Sequence, residues 1–288
     1  MILELETLDG GAPLEDALCY RLFDDAERVR WRVSDIPWSQ IERDKVKPQL
    51  VTIVRDIVYS ELTTFSATQK FMQAFSDDVD FTQWISVWFY EETKHPHVLM
   101  YWLRAFGEVF STNFMLRGRV SEPFMPSRLG TLVSNIISEI TASNRYRMMA
   151  QGAEPVLARI GKHLSSDEAR HASVFYLYAQ RYIERAARPD EEQLMALKVL
   201  HLWLGQTTAV QHPVNMHVGR VQSSDEMQWA PVNQPEYMAR VRTQACHVVG
   251  NLVGRAIERP ADVMQHIREL VPIVRRRKSA TDQPHVQG

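Results

Sequence analysis

The sequence predicts an all-α fold, built on a four-helix bundle with additional flanking helices. Apolar residues recur at the three- and four-residue spacing of helices along most of the 288 residues, of which only 12 are glycine. Proline and glycine stand mainly at the ends of these periodic stretches, where they begin or terminate helices. A pattern of acid, Glu, small residue, base and His occurs twice inside such stretches, at 91–95 and 167–171. These observations indicate a bundle with a paired polar site in its interior.

In the first half of the chain, helix-starting and helix-ending residues place the elements in order. A first helix is expected over residues 13–33, and residues 35–38 interrupt its pattern as a loop. Pro48 suits the first turn of the next helix, because that position needs no N–H donor. Asp80 can cap a long helix that ends before Gly107.

The second half continues in the same way. Ser127 can cap a helix that ends before Gly152, and Pro155 opens another that runs to about Ala187. Further helical segments are expected at about 190–210, 236–258 and 261–277. Helix therefore follows helix, which is typical of an all-α bundle.

Composition and length favour one domain over residues 1–288. Its bundle core is expected at about 46–187, followed by C-terminal helices at about 190–277 and a polar tail at 278–288. The formal net charge of −2 gives no basic surface of the kind that binds nucleic acid. No run reaches the 18 or so apolar residues of a membrane span, and residues 1–9 do not resemble a secretion signal.

The two cysteines, Cys19 and Cys246, lie far apart in the sequence. Neither has a Cys or His at a chelating helical spacing, so both are expected to be buried thiols. Two isolated cysteines do not make a disulfide framework, and they favour a reducing compartment. We therefore expect a cytoplasmic protein.

The repeated pattern is the half-site of a dinuclear metal centre. Residues three apart on a helix lie on neighbouring positions of one face, so Glu92 with His95, and Glu168 with His171, can each hold one ion. Two such helices, with one Glu from each of two further helices, form the carboxylate-bridged site of di-iron and di-manganese bundles.

The two additional glutamates are present at matching positions. Glu61 precedes Glu92 by 31 residues, and Glu139 precedes Glu168 by 29 residues, each within an apolar helical stretch. The similar spacing predicts two helical hairpins related by a pseudo-twofold axis through the metal pair. Four buried carboxylates without a partner would be prohibitive, at an idealised cost of about 20 kcal/mol each. Two divalent cations cancel the four charges.

The acid that precedes each of these glutamates has a predicted role as well. A metal-bound imidazole usually donates its other N–H to a carboxylate or a carbonyl, which fixes the ring's orientation. Across the pseudo-twofold axis, Asp167 can serve His95 and Glu91 can serve His171. The alternative is that both acids lie on the polar flank of the bundle.

The segments 88–95, 154–161 and 166–171 resemble the soluble acyl-acyl carrier protein desaturases of the ferritin-like superfamily. The resemblance covers about residues 35–185. It implies as iron ligands the side chains Glu61, Glu92, His95, Glu139, Glu168 and His171, with Glu92 and Glu168 as the bridging carboxylates. It also implies a homodimer, an acyl carrier protein as substrate carrier, and electrons from an external ferredoxin and its reductase.

Two residues depart from that family. Pro96 directly follows His95, which removes a helical hydrogen bond to Glu92 and is expected to kink the helix. Ala142 stands three residues after Glu139, where members of the family often carry a Thr. The pocket and the delivery of protons to the site are therefore expected to differ.

The substrate is less well specified by the sequence. An acyl chain needs an apolar tunnel, which could be lined by Trp84, Trp88, Phe89, Phe65, Ile136 and Met148. The same residues at helical spacing are also typical of a plain core. Arg240, Arg242 and the run 275–278 are candidates for a basic rim that binds an acidic carrier, or are simply solvated cations.

Other activities use the same ligands. A di-iron monooxygenase, either a hydroxylase or an N-oxygenase, is the main alternative, although His163 is poorly placed to be the third histidine of an arylamine N-oxygenase. An iron store needs a cage-forming chain, which this length and C-terminal third do not favour. A radical-generating subunit needs a Tyr in phase with a ligand, and none of Tyr59, Tyr90 and Tyr146 is expected to be in phase with one. The donor set accepts iron or manganese.

Overall fold

The computed structural model describes residues 17–120, 125, 127–152, 154–205 and 235–281, with side chains up to residue 277. Within these residues the chain forms α-helices, short 3-10 turns and no strand, so the predicted all-α class is confirmed. The helices are α1 Leu18–Val29, α2 Pro48–Glu61, α3 Thr64–Ala74, α4 Val79–Arg104, α5 Thr112–Gly118, α6 Arg128–Met149, α7 Pro155–Arg185, α8 Pro189–Trp203, α9 Pro235–Leu252 and α10 Pro260–Thr281.

Helices α2, α4, α6 and α7 form the four-helix bundle. The closest pairing is between α6 and α7, and Gly161 explains how their backbones approach. A Cβ atom at Gly161 would lie 2.8 Å from the backbone N of Ala150 and 2.9 Å from the carbonyl oxygen of Tyr146. Only glycine fits there without moving one helix away from the other.

Several predicted helix ends are confirmed. Pro48 and Pro155 each occupy the first turn of their helix. The Ser127 hydroxyl accepts a hydrogen bond from the Gly130 N–H and caps α6. Gly107, with φ of 83°, follows the end of α4.

Two expectations about the first helices were wrong. Among the described residues, the first helix spans only 18–29, and residues 33–35 form a separate 3-10 turn. Asp78, and not Asp80, caps α4 by accepting the Phe81 N–H. Asp80 instead accepts the N–H groups of Leu18 and Cys19, so it holds the start of α1 against the bundle.

The helix that carries Glu61 ends at that residue. The Ser60 hydroxyl donates to the Ile57 carbonyl, and the Thr63 hydroxyl donates to the Ser60 carbonyl, at 2.8 Å each. Such local bonds compete with the helical pattern, and α3 begins after a short turn at Thr64. Glu61 therefore reaches the bundle interior from the end of a helix.

Helices α8 and α9 pack beside α6 and α7, and α10 packs against α8. The segment predicted at 236–258 stops early, because Gly254 has φ of 65° and the Arg255 N–H bonds to the Gly250 carbonyl. Residues 204–205 turn out of α8, and residues 206–210 of the predicted segment lie outside the described residues, as does the end of the polar tail. None of the described helices is both long and apolar enough to span a membrane.

The buried apolar side chains form two clusters. One includes Trp84 and Phe175 and extends to α8, α9 and α10, while the other includes Leu99 and Leu164 near the opposite end of the bundle. Between them lies a band of buried acids and histidines. Cys19 and Cys246 are free and buried, as predicted, and burial raises the pKa of each thiol to about 11.

Candidate metal centre

The structure brings all six predicted ligand side chains together in that band. Each is at most 8% exposed: Glu61 on α2, Glu92 and His95 on α4, Glu139 on α6, and Glu168 and His171 on α7. They form two groups, in each of which the donor atoms lie within 4.8 Å of one another. The groups are Glu61, Glu92, His95 and Glu168, and Glu92, Glu139, Glu168 and His171.

Glu92 and Glu168 belong to both groups, and their two oxygens face opposite histidines. In Glu92, Oε2 lies 3.5 Å from His95 Nδ1 and Oε1 lies 2.9 Å from His171 Nδ1. In Glu168, Oε1 lies 3.4 Å from His95 Nδ1 and Oε2 lies 3.6 Å from His171 Nδ1. Each of these carboxylates can therefore bridge two ions, one beside each histidine.

The remaining two glutamates each belong to one group. Glu61 Oε2 lies 3.7 Å from His95 Nδ1, and Glu139 Oε2 lies 3.9 Å from His171 Nδ1. One position thus has Glu61 and His95 as its own donors, and the other has Glu139 and His171. This is the pseudo-twofold arrangement that the spacing of the sequence predicted.

The donor atoms fit a pair of cations. Three buried donor atoms make no hydrogen bond of acceptable geometry to any described residue: Nδ1 of His95, Nδ1 of His171 and Oε1 of Glu92. Burial and the charge of Glu168 raise the pKa of Glu92 to about 7, and the same two causes raise the pKa of Glu139 well above its usual range. Glu92 and Glu139 therefore resist ionising beside Glu168 unless positive charge lies near them.

The histidines respond to the same crowding of negative charge. Burial alone lowers the pKa of an imidazole, but the surrounding carboxylates raise the pKa of both His95 and His171 well above the usual value. In the absence of a metal, protons therefore take the place of cations in this centre. Divalent ions would replace these protons and leave each Nδ1 as a ligand.

The acids Glu91 and Asp167 make the contacts predicted across the bundle. His171 Nε2 lies 3.0 Å from Glu91 Oε2, and His95 Nε2 lies 3.4 Å from Asp167 Oδ2. Both acids are 2% exposed, which excludes the alternative position on a polar flank. Burial alone raises the pKa of Glu91, but the hydrogen bond and charge of His171 and the charge of Arg170 lower it to about 2.

Arg170 and Lys94, the bases of the two repeats, have different partners. Arg170 Nη2 donates to Glu91 Oε2 at 2.8 Å and to Asp167 Oδ1 at 3.0 Å, so it lies between the two. Lys94 is buried, with Nζ 4.6 Å from the centre of the Trp31 ring and 3.4 Å from the Trp31 carbonyl oxygen.

Trp31 connects the segment before α2 to the centre. Its indole Nε1 donates to Asp167 Oδ2 at 2.8 Å, the same oxygen that faces His95. The ring of His163 stacks on Trp31 with centroids 5.1 Å apart. His163 is therefore packed against this tryptophan, in agreement with its exclusion from the predicted ligands.

Sequence reasoning missed Arg145 and set Tyr146 aside, and both follow Glu139 on α6. Arg145 Nη2 donates to Glu61 Oε1. Tyr146 is fully buried, with its ring 6.1 Å from that of His95, and burial and the charge of Glu61 raise its pKa well above the usual value. Contrary to the expectation, Tyr146 is in phase with Glu139, because a separation of seven residues is two helical turns along the same face. That spacing was a usable signal.

The residues predicted as a possible tunnel lining differ in burial and in what they contact. Trp84 and Trp88 pack edge-on against Phe175, at 4.7 Å and 5.7 Å between ring centroids, and so are part of the core. Phe65 and Phe89 are partly buried and contact each other edge-on. A cavity of about 630 Å³ lies near the start of α4 and the end of α7. Its lining includes Phe81, Tyr178, Arg181 and residues at the start of α8.

The two departures from the family also have a defined place. Helix α4 is continuous through Pro96, which is buried within it. Ala142 is partly buried and packs against the apolar cluster that contains Leu99 and Leu164.

The family model described as rubrerythrin matches residues 131–220. This minority of the chain contains Glu139, Glu168 and His171, which is half of the six-residue set. Among the curated proteins, none matches the chain. The match, the bundle and the two acid–histidine groups place the chain in the ferritin-like di-iron superfamily.

Proposed function

We propose that this protein is an O2-dependent di-iron oxidoreductase. The observation that carries the proposal is the position of Glu92 and Glu168, each of which offers one oxygen beside His95 and the other beside His171. In this proposal one ion is held by the Glu61 group and the other by the Glu139 group. A bound ferrous pair supplies two electrons to O2 and thereby the oxidant for an organic substrate. Manganese in one position is compatible with the same donors.

The protein's own residues orient the ligands and exclude water. By accepting from Nε2, Asp167 and Glu91 leave the Nδ1 lone pairs of His95 and His171 facing the ions. Ile85 and Leu99, on α4 before and after the ligands, are fully buried and keep solvent out. Preorganised ligands in a dry site are what an oxidant of this kind requires.

We further propose that the substrate is a fatty acyl chain on an acyl carrier protein and that the reaction is desaturation. The support is the resemblance of residues 35–185 to acyl carrier protein desaturases, together with the six side chains that it implies. The exposed Arg240 and Arg242 on α9 offer positive charge for an acidic carrier. A homodimer, a cytoplasmic location and electron supply by a ferredoxin and its reductase belong to the same proposal.

The test is a single turnover of the iron-loaded, anaerobically reduced protein with O2 and an acyl carrier protein that carries a saturated acyl chain. Mass spectrometry of the acyl chain is expected to show the loss of two hydrogen atoms. Gain of one oxygen atom would instead support the monooxygenase. An unaltered acyl chain, with O2 consumed, would contradict the acyl substrate. Glu168→Ala removes one bridging carboxylate and is expected to abolish any of these reactions.

A radical-generating subunit is a second candidate, favoured by the position of Tyr146 beside His95. Its hydroxyl is buried without a hydrogen-bond partner among the described residues. An EPR spectrum after exposure of the reduced, iron-loaded protein to O2 separates the two candidates. A stable tyrosyl signal that Tyr146→Phe removes would favour the radical subunit, and its absence would favour the oxidoreductase.

A further inference from the structure

The two lone glutamates of the centre have different partners. Glu61 accepts from the guanidinium of Arg145, whereas Glu139 accepts a 2.8 Å hydrogen bond from the neutral amide of Asn135. Glu61 and Glu139 are otherwise equivalent under the pseudo-twofold relationship, since each is the donor that only one metal position uses. The symmetry of the ligands is therefore broken by charge.

Arg145 is built into this contact. Its Nη1 donates to the Ser60 hydroxyl at 3.3 Å, and its guanidinium lies 5.1 Å from the centre of the Tyr146 ring. Its Nε is buried and has no hydrogen-bond partner in the part of the chain that the structure describes. A guanidinium stays charged at any pH that the protein tolerates, so it cannot relieve the contact by losing a proton.

The other nearby cations do not distinguish the two positions in the same way. Arg170 bonds to both Glu91 and Asp167, and therefore acts on the two histidines from between them. Arg30 lies 3.7 Å from Glu91, behind His171. Arg145, in contrast, touches a ligand carboxylate itself, and any ion at Glu61 must share that carboxylate with it.

We propose that Arg145 makes the two metal positions unequal, so that the position of Glu139 and His171 fills first and that of Glu61 and His95 fills second and empties first. The cation repels a divalent ion at Glu61 and reduces the negative charge that this carboxylate offers. Asn135 has no such effect on Glu139. The inference rests on the proposed dinuclear centre, and it predicts a difference in affinity on the order of 10-fold to 100-fold, typical of groups that contact metal ligands.

The test is an anaerobic titration of metal-free, full-length protein with Co²⁺ alone. The visible absorption of the bound Co²⁺ measures binding at each addition. Wild type is expected to bind two ions in separate steps. Arg145→Gln should merge the steps by strengthening the second, and Arg145→Lys, which keeps the charge, should keep them apart. Arg147→Gln, which removes an exposed cation from the same helix, should leave both steps unchanged.

Two ligand variants assign the steps. Glu61→Ala is expected to lose the weak binding step and keep the tight one. Glu139→Ala is expected to lose the tight binding step and keep the weak one. Two equal affinities in wild type, an unchanged gap in Arg145→Gln, or loss of the tight step in Glu61→Ala would each overturn the inference while leaving the dinuclear centre intact. Binding of fewer than two ions by wild type would overturn the centre itself. Circular dichroism of each variant checks that it is folded.

Discussion

Trp31 and Asp167, 136 residues apart in the sequence, are joined by a 2.8 Å hydrogen bond from the indole Nε1 to the carboxylate Oδ2. The same oxygen faces His95 Nε2, so a residue outside the bundle contributes to the orientation of a proposed ligand. Trp31 is 6% exposed, and its ring contacts both Lys94 and His163. This contact extends the centre beyond the four helices that carry its donors.

We expect Asp167→Asn to weaken metal binding at the position of His95. The substitution keeps the size of the side chain but removes the charge that fixes the imidazole, and losses of about 10-fold to 100-fold are typical. Competition with a chelator of known affinity measures the change. Trp31→Phe, which removes the indole donor but keeps the charge of Asp167, is the comparison and should have a smaller effect on affinity. An unaltered affinity in Asp167→Asn would show that this acid does not orient His95.

We expect Asp80→Asn to lower the free energy of unfolding by about 2 kcal/mol at pH 7, as for the loss of a charge-assisted hydrogen bond. Asp80 accepts from Leu18, Cys19, Tyr178 and Arg181. Burial raises the pKa of Asp80, but the hydrogen bond and charge of Arg181 and the Cys19 N–H lower it overall. The stabilisation that the Asp80 charge gives the folded protein is therefore present above about pH 4, and it is lost as the pH falls through the folded-state pKa of Asp80.

Urea unfolding at a series of pH values checks this prediction. The difference in stability between wild type and Asp80→Asn should narrow below about pH 4. Asp77→Asn, which removes an exposed partner of Arg128 in the turn before α4, should have little effect at any pH. A difference that stays constant down to pH 3 would contradict the role given to the charge of Asp80.

We expect Glu154→Ala to destabilise the protein by about 3 kcal/mol, because it leaves several buried donors unsatisfied. Glu154 is 1% exposed and accepts the N–H groups of Val156 and Leu157 at the start of α7. It also accepts the Trp102 indole N–H at 2.8 Å and the Glu42 N–H at 3.2 Å. Thermal unfolding should place Glu154→Gln, which keeps an acceptor oxygen, between wild type and the alanine variant.

We expect Gly161→Ala to cost about 1–3 kcal/mol, as overpacking in a well-packed interior does. The added methyl group would meet backbone atoms of α6, which cannot rotate away as a side chain can. Denaturant unfolding measures the loss, and metal stoichiometry should fall if α6 and α7 separate at Glu139 and Glu168. Ser166→Ala, at an exposed position of the same helix, is the control. Equal stability of the two variants would contradict the close approach of the helices.

The sequence was most informative where all residues of a motif lie on one face of one helix. The spacing alone predicted that Glu92 shares a helical face with His95, and Glu168 with His171. A separation of three residues on a helix corresponds to a fixed angle about its axis. Prolines and caps such as Pro155 and Ser127 act within one turn, so they too could be read locally.

The sequence was less informative where distant segments compete for the same group. Asp80 was a plausible cap for its own helix, but α1 supplies N–H donors that it bonds instead. At the break after Glu61, the hydroxyls of Ser60 and Thr63 bond to nearby carbonyls, and the apolar periodicity of the sequence does not reveal this break. The contact of Arg145 with Glu61 joins residues 84 apart, and no local pattern predicts it.

The most direct test of the dinuclear centre is iron X-ray absorption together with metal analysis of the iron-loaded, full-length protein. If Glu92 and Glu168 bridge two ions, the protein should bind two iron ions per chain, with iron–iron scattering at about 3.5–4 Å. Glu168→Ala should lose that scattering. One iron per chain, or two without iron–iron scattering, would contradict the assignment of these six side chains to one shared centre.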